Sequence, residues 1–265
     1  MITNSVVHPS SKQQTQKPGC LAERGLEHGP YGVRLASAPS DIADAQRLRF
    51  QVFNLELKEG LESAFTFGLD TDEFDMVCDH LIVEHHPTKR VVGTYRLQTG
   101  TAANRHLGYY SEREFDFSPY ETLRPKLVEL GRACIHREHR STQVLYLLWR
   151  GIVEYSIVND GRYLIGCSSL TSQDPAQGHA VYRRLREWLV EEALRTSPRT
   201  GVSLPISEST QADDSVPKLL RTYLAIGARI CGPPAMDREF KTIDFLTLLD
   251  LENLHARIRL RLFGC

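Results

Sequence analysis

The alternation of apolar and polar residues predicts one domain in which strands and helices follow each other in mixed order. Short apolar runs bounded by turn residues predict strands, and apolar residues three or four apart predict helices. The predicted strands are 31–36, 79–85, 90–97, 126–135, 163–170 and 242–249. One predicted helix begins at Pro39. The others cover residues 144–158, 180–195 and 217–226 and a basic segment that closes the chain. This order predicts an α/β (α+β) fold with a central mixed sheet and helices on both faces.

Polar residues dominate the beginning of the chain. Residues 10–18 are rich in serine, glutamine and lysine and show no apolar periodicity. Such a segment cannot bury enough apolar surface to offset the entropy lost on ordering. We therefore predict a disordered N-terminal tail over residues 1–30 and a single domain over residues 31–265.

Composition and charge exclude several classes of function. The chain has 265 residues, 41% hydrophobic and 25% charged, which is typical of a globular protein. The formal net charge of -1 gives no reason to expect a nucleic-acid partner. The six cysteines do not have the spacing of a zinc site, so we expect no metal. Apolar runs are too short to span a bilayer and we see no secretory signal, so we expect a cytoplasmic protein.

Two arginines interrupt apolar patterns in the first half of the chain, and two aspartates are candidate partners for them. Arg49 falls on the apolar stripe of the first helix, and a buried arginine needs an acidic partner. Asp72 and Asp75 are candidate partners in a polar loop, and Arg96 ends an apolar strand. The alternatives are an arginine that extends its charged end to solvent and two solvated aspartates.

Glu129 is the most informative single residue. The predicted strand 126–135 is apolar from residue 127 onward except at Glu129 and Arg132. A carboxylate inside a central strand is expected to have a raised pKa, which suits a general base acting on an amine. The alternative is an ion pair between Glu129 and Arg132 with a structural role.

A basic loop joins this strand to the next helix. Residues 136–142 include Arg137, Arg140, Ser141 and Thr142 and lead into the helix predicted to begin at residue 144. Backbone N–H groups at a helix start bind anions, and arginine strengthens such a site. The loop therefore predicts a phosphate site, with an exposed basic loop as the alternative.

The order of strand, basic loop, helix and strand resembles the acyl-CoA-binding core of the GNAT acetyltransferase fold. The chain is most similar to the branch of that fold that uses acyl carrier protein. This branch includes acyl-homoserine-lactone synthases, N-acyl amino acid synthases and the hemolysin-like N-acyltransferases of ornithine lipid synthesis. The resemblance covers roughly residues 31–250. The motifs that carry it are Arg49-Phe50-Gln51-Val52-Phe53, Cys78-Asp79-His80-Leu81, Val92-Gly93-Thr94-Tyr95-Arg96-Leu97, Tyr109-Tyr110-Ser111-Glu112, Glu129-Leu130-Gly131-Arg132, Leu147-Leu148-Trp149, Ile165-Gly166-Cys167-Ser168-Ser169 and Phe240-Lys241-Thr242-Ile243-Asp244-Phe245.

The resemblance implies a GNAT-like N-acyltransferase. Its reaction moves a fatty or 3-hydroxyfatty acyl group from acyl carrier protein to the α-amine of an amino acid, with ornithine as the first choice. It implies no bound cofactor, because the phosphopantetheine thioester of acyl carrier protein is a co-substrate. The alternatives are N-acylation of glycine or tyrosine, an acyl-CoA-dependent acetyltransferase, and a carrier-protein-binding module without catalytic activity.

The resemblance also assigns roles to residues. It implies a catalytic group of Glu129, Arg132 and Arg96. It implies an acceptor site of Arg49, Phe53, Asp72 and Asp75. The expected acyl-phosphopantetheine site consists of Arg137, Arg140, Ser141, Thr142, Cys134 and Ser168. Cys134 and Cys167 would permit a route through an acyl-cysteine, but we interpret them as small core residues.

Two surfaces are candidates for larger partners. Acyl carrier proteins are acidic, so we expect a basic docking face formed by residues 136–140, Arg150 and residues 183–186. The basic and apolar residues 257–263 suit peripheral contact with anionic lipid at the inner face of the membrane. A C-terminal helix packed on the domain is the alternative.

Overall fold

One mixed sheet forms the centre of the molecule. The structure, a computed structural model, describes residues 26–207 and 212–263. The strands of these residues are β1 Leu26–His28, β2 Tyr31–Leu35, β3 Asp79–His85, β4 Arg90–Thr99, β5 Leu127–Ile135, β6 Tyr163–Leu170, β7 Arg229–Ile230, β8 Ala235–Asp237 and β9 Thr242–Asp250. They lie in the order β1-β2-β3-β4-β5-β6-β9-β7, and β8 also pairs with β9. The predicted mixed sheet is confirmed.

The pair β5–β6 is parallel, whereas the other strand pairs of the described residues are antiparallel. The parallel register starts at Leu127 opposite Tyr163 and ends at Glu129 opposite Ile165. Beyond Glu129 the two strands diverge, while β6 stays paired with β9 through Leu170. The sheet therefore has a gap in its middle, directly after Glu129.

A β-bulge lies on the other side of β5. Gly131 faces Arg96 and Cys134 faces Thr94, so Arg132 and Ala133 together oppose one residue of β4. Arg132 has a φ of 50°, in the left-handed region that side chains rarely adopt. A bulge of this kind redirects a side chain, and here it affects the arginine three residues after Glu129.

Helices cover both faces of the sheet. They are α1 Pro39–Phe50, continued as a π-helical segment Gln51–Leu57, α2 Gly100–Arg105, α3 Thr142–Val158, α4 Pro175–Arg184, α5 Lys218–Ile226 and α6 Ala256–Phe263. The apolar side of α3, including Leu148 and Ile152, packs on a core formed with Leu81, Tyr95 and Leu97. Helix α1 packs on β4 and β5 from the opposite face.

Two predicted boundaries are wrong. The helix predicted over 180–195 spans Pro175–Arg184, because Asp174 caps its N-terminus by accepting from the Ala176 N–H (2.9 Å). It ends early because the Val190 N–H donates to the Ile230 carbonyl of β7 (2.9 Å). The tail predicted over 1–30 is too long, since Leu26–His28 pair with β2. Residues 1–25 lie outside the described part of the chain.

The C-terminal helix α6 is docked on the domain. Leu262 is buried in the core beside α3, whereas Leu260 is exposed. Contact of this segment with lipid stays a prediction. Among the described residues, no helix has both the length and the apolar character needed to cross a membrane.

The gap between β5 and β6 predicts a contrast between two glycines. A Cβ on Gly166 would lie 2.2 Å from the Leu130 carbonyl oxygen, whereas a Cβ on Gly131 would meet no described atom within 4 Å. We expect Gly166→Ala to lower the free energy of unfolding by about 1–3 kcal/mol, because the backbone must move. Gly131→Ala is the matched control, with an expected change within about 0.5 kcal/mol. Urea denaturation measures both, and equal losses would contradict this account of the gap.

Candidate active site

A cavity of about 740 Å³ occupies the gap between β5 and β6. Its wall includes Leu148 and Leu164, which belong to the core on the α3 side of the sheet. It also includes Glu129 and Gly131, which alternate with Leu130 along β5 and therefore face the other side. The cavity thus passes through the sheet, from an apolar chamber on the α3 side to a polar chamber on the opposite side.

Glu129 lies where the two strands part. Its side chain is buried, with Oε1 accepting from the Ser111 N–H (2.8 Å) and the Ser111 hydroxyl (2.6 Å). Oε2 accepts from the Tyr110 N–H (2.8 Å). A carboxylate has about four acceptor positions, so Oε2 keeps one for a ligand. Burial raises the pKa of Glu129, which suits a group that must accept a proton.

The alternative in which Glu129 and Arg132 form an ion pair is wrong for the described structure. Arg132 Nη2 lies 2.8 Å from Asp72 Oδ2. Its guanidinium also lies over the Phe240 ring, 4.2 Å from the ring centroid. The bulge in β5 accounts for this arrangement because it turns Arg132 away from the regular alternation of the strand.

A buried ion-pair network lies beside the polar chamber. Arg49, which has no exposed surface, binds both oxygens of Asp75 (3.0 and 2.6 Å) and lies 2.8 Å from Asp70 Oδ1. Arg96 joins Asp75 (3.1 Å) to Asp72. Three arginines and three aspartates therefore compensate each other. The network consists of Arg49, Arg96, Arg132, Asp70, Asp72 and Asp75.

This network confirms that Arg49 has acidic partners. The arginines of the network already neutralise the charges of Asp72 and Asp75. Burial opposes their ionisation, yet Arg96 and Arg132 hold the pKa of Asp72 below its ordinary value, and Arg49 does so for Asp75. Of the expected acceptor-site residues, Phe53 lines the cavity. The acceptor role of the other three stays a prediction. Asp70 was not expected, because its loop shows no apolar pattern.

A second group of acids behaves differently. Its members lie close to the polar chamber, and no ion pair involving them occurs among the described residues. They are Glu59, Glu114, Glu129, Asp237 and Asp244. Apart from Glu129, these residues were not predicted from the sequence. Asp244 could have been found, because it is the single charged residue in the apolar run 242–249.

Three residues of the expected phosphate site lie at the cavity, and their binding of phosphate stays a prediction. Arg140, Ser141 and Thr142 line the cavity at the N-terminus of α3. The Ser141 hydroxyl caps α3 by accepting from the Val144 N–H (3.3 Å). Arg140 makes a two-point ion pair with Glu56 (2.6 and 2.8 Å), so part of its charge is already used. Arg137 lies in the exposed turn Arg137–His139.

Cys134 and Cys167, two of the three cysteines that line the cavity, are poor nucleophiles. Burial raises the pKa of Cys134 and of Cys167, so both are neutral thiols at neutral pH. Cys134 packs with Phe53 and Phe240 as a small core residue. Ser168 also lines the cavity, and its buried hydroxyl has no hydrogen-bond partner among the described residues. The geometry therefore favours direct transfer over a route through an acyl-cysteine.

The sheet, the gap and the buried glutamate define an acyltransferase of the GNAT class. The family model described as an acetyltransferase (GNAT) domain matches residues 48–150. The acyl-homoserine-lactone synthase LasI superposes with a TM-score of 0.51 at 14% identity, covering 88% of this chain and 95% of that one. FeeM, an N-acyl amino acid synthase from uncultured soil microbes, gives 0.52 at 11% identity, covering 84% and 91%. Both likenesses concern the fold.

Sequence relatives are more specific. The L-ornithine N(alpha)-acyltransferase of Brucella abortus is 33% identical, over 86% of this chain and 87% of the relative. The protein of the same name from Agrobacterium fabrum is 29% identical, over 96% and 91%. The chain belongs to the L-ornithine N(alpha)-acyltransferase family.

The network predicts a large difference between two arginines of α1. Arg49→Met should lower the free energy of unfolding by about 3–5 kcal/mol, because it leaves buried aspartates without their partner. Arg47→Met is the control on the same helix, since Arg47 and its partner Asp44 are exposed. Its expected effect is below about 1 kcal/mol. Chemical denaturation measures both, and a small loss for Arg49→Met would refute a supporting role of the network.

Proposed function

We propose that this protein transfers a fatty acyl group from acyl carrier protein to the α-amine of L-ornithine. The observation that carries the proposal is the position of Glu129, a buried carboxylate with a free acceptor position in a cavity between diverging strands. Membership of the family supports ornithine as the acceptor, since its curated relatives have that name.

Glu129 removes the proton that keeps the amine from reacting. The α-ammonium donates one proton to Glu129, and the neutral amine attacks the thioester carbonyl carbon. A C–N bond forms, the nitrogen loses a second proton, and the C–S bond breaks. The leaving sulfur takes one proton, so the reaction yields amide, free thiol and one released proton. Burial of Glu129 keeps its basicity close to what this transfer needs.

The apolar chamber accepts the fatty chain. Helices α3 and α5 and strands β6 and β9 supply its wall, and the gap after Glu129 connects it to the amine. A long chain fits a chamber of this kind because apolar surface leaves water on binding. The apolar lining consists of Leu130, Ile135, Leu145, Leu148, Trp149, Leu164, Leu219, Tyr223 and Leu249.

The opening of the cavity favours a carrier protein as donor. Phosphopantetheine carries one phosphate, whereas coenzyme A carries three. The N-terminus of α3 and a partly neutralised Arg140 suit a single phosphate. Lys218, an exposed lysine at the start of α5, adds positive charge at the same opening. The remaining carrier surface would contact the basic face around α3 and α4.

Replacement of Glu129 tests the reaction. Glu129→Gln should lower the rate of N-acylornithine formation about 10²–10⁴-fold, because the amide cannot accept the proton. Purified protein, acyl carrier protein loaded with a 3-hydroxyacyl chain, and L-ornithine form the assay, with mass spectrometry as the readout. Glu192→Gln, at an exposed glutamate, is the control and should act like wild type. Full activity of Glu129→Gln would refute this role.

The donor is tested with matched acyl chains on two carriers. We expect a kcat/KM for acyl carrier protein at least 100-fold above that for the same chain on coenzyme A. The expected reason is that the protein carrier adds electrostatic contacts outside the cavity. Equal values would overturn the choice of donor, and efficient use of acetyl-CoA would favour an acetyltransferase.

A further inference from the structure

Two buried carboxylates without a cation lie next to the catalytic glutamate. One ligand atom each of Glu114, Asp244 and Cys167 lie within 4.8 Å of one another. Glu114 is 5% exposed and Asp244 is 4% exposed. Neither forms an ion pair among the described residues, in contrast to the aspartates of the neutral network. Burial without a cation raises the pKa of both acids and favours their protonated forms, so a bound cation would complete the pair.

The side chain of Asp244 provides independent evidence for a ligand. Asp244 lines the cavity, and its buried Oδ1 has no hydrogen-bond partner among the described residues. Buried polar atoms in native proteins nearly always have partners. A hydrogen-bond donor that enters the cavity would satisfy this oxygen.

The acids lie at a useful distance from the reaction centre. Ser111 bonds Glu129 (2.6 Å), Cys167 contacts Ser111 (3.6 Å), and Cys167 also contacts Glu114 (3.8 Å). One chain of contacts therefore connects the catalytic carboxylate to the pair. The two amines of ornithine are separated by four carbons, roughly 6 Å when extended. The arrangement that follows has one amine of a single ornithine at Glu129 and the other near the acids.

We propose that Asp244 and Glu114 bind the side-chain ammonium of the acceptor and so select a diamino acid. This inference rests on the proposed function and adds the residues that determine acceptor specificity. Asp237 contributes negative charge to the same wall, where its carboxylate accepts from the Tyr110 hydroxyl (3.3 Å). An ammonium has three N–H donors, and Asp244 and Glu114 can each accept from one of them.

An ammonium and a divalent metal would use these residues differently. A metal would also bind Cys167, the third member of the group, and would deprotonate its thiol. An ammonium needs only the carboxylates, which Coulomb attraction to the cation keeps ionised. A chelator in the assay separates the two sources of positive charge.

The unpaired acids should also lower the stability of the free protein. Burial, and then the neighbouring Asp237, raise the pKa of Asp244 to about 6. A raised acid pKa contributes stability at pH values below its unfolded value, and this contribution is lost as pH rises through 6. At pH 7.5 the free protein therefore carries a penalty, which Asp244→Asn removes. A purely structural aspartate would show the opposite sign.

The test compares ornithine with norvaline, which has the same carbon chain but lacks the side-chain amine. We expect wild type to favour ornithine at least 100-fold in kcat/KM. Asp244→Asn should reduce this ratio about 100-fold and raise the Tm at pH 7.5. Asp116→Asn, at an exposed aspartate, is the matched control and should change neither quantity. Glu114→Gln is a second variant with the same expected loss of preference.

Each of the remaining outcomes would contradict this assignment in a different way. If wild type acylates ornithine and norvaline equally, the reaction class stands and this assignment fails. It also fails if Asp244→Asn lowers the Tm and reduces both activities equally, since that marks a structural role. Loss of the ornithine preference on adding EDTA would show that the acids bind a metal rather than the ammonium. If wild type acylates neither amino acid, the proposed function itself fails, and this inference with it.

Discussion

The short parallel pairing between β5 and β6 is the constraint on which the site depends. Two strands that stay hydrogen-bonded leave no space between them, and here the pairing ends at Glu129 opposite Ile165. The gap that follows supplies the cavity, exposes a carboxylate that is otherwise buried, and connects the two faces of the sheet. Gly166 permits β5 and β6 to come close together where the gap begins, because a Cβ at this position would clash with the Leu130 carbonyl.

Two groups of buried acids have opposite relations to their surroundings. The aspartates of the network are matched one to one by arginines, so the network is neutral and can fix the loop 70–76 against α1, β4 and β5. The acids around Asp244 have no such partners among the described residues. Burial without compensation weakens a fold, and such sites are typical of places where a ligand completes the charge balance.

The sequence predicts the sheet and the catalytic glutamate better than the acceptor site. The apolar pattern locates β3 and β6 because short apolar runs bounded by turn residues predict strands. Glu129 stands out because it is a charged residue inside such a run. The same rule applied to the run 242–249 would have found Asp244. The sequence predicted Asp72 and Asp75 as candidate partners of an arginine, and the structure pairs Asp75 with Arg49 and Asp72 with Arg96. It did not predict the third aspartate, Asp70, because its loop shows no apolar pattern. The end of α4 was missed because a hydrogen bond to β7 sets it.

A cavity that runs through a sheet imposes a geometry on what is made inside it. In the proposed reaction, the acyl chain enters on the α3 side and the amino acid on the side of Glu129, so the two substrates do not share an entrance. The product then spans the sheet, with its acyl chain on one face and its charged amino acid on the other. Because β5 and β6 do not pair again after Glu129, the product can leave along the gap with both of its ends in place. The width of the gap therefore limits which products can leave.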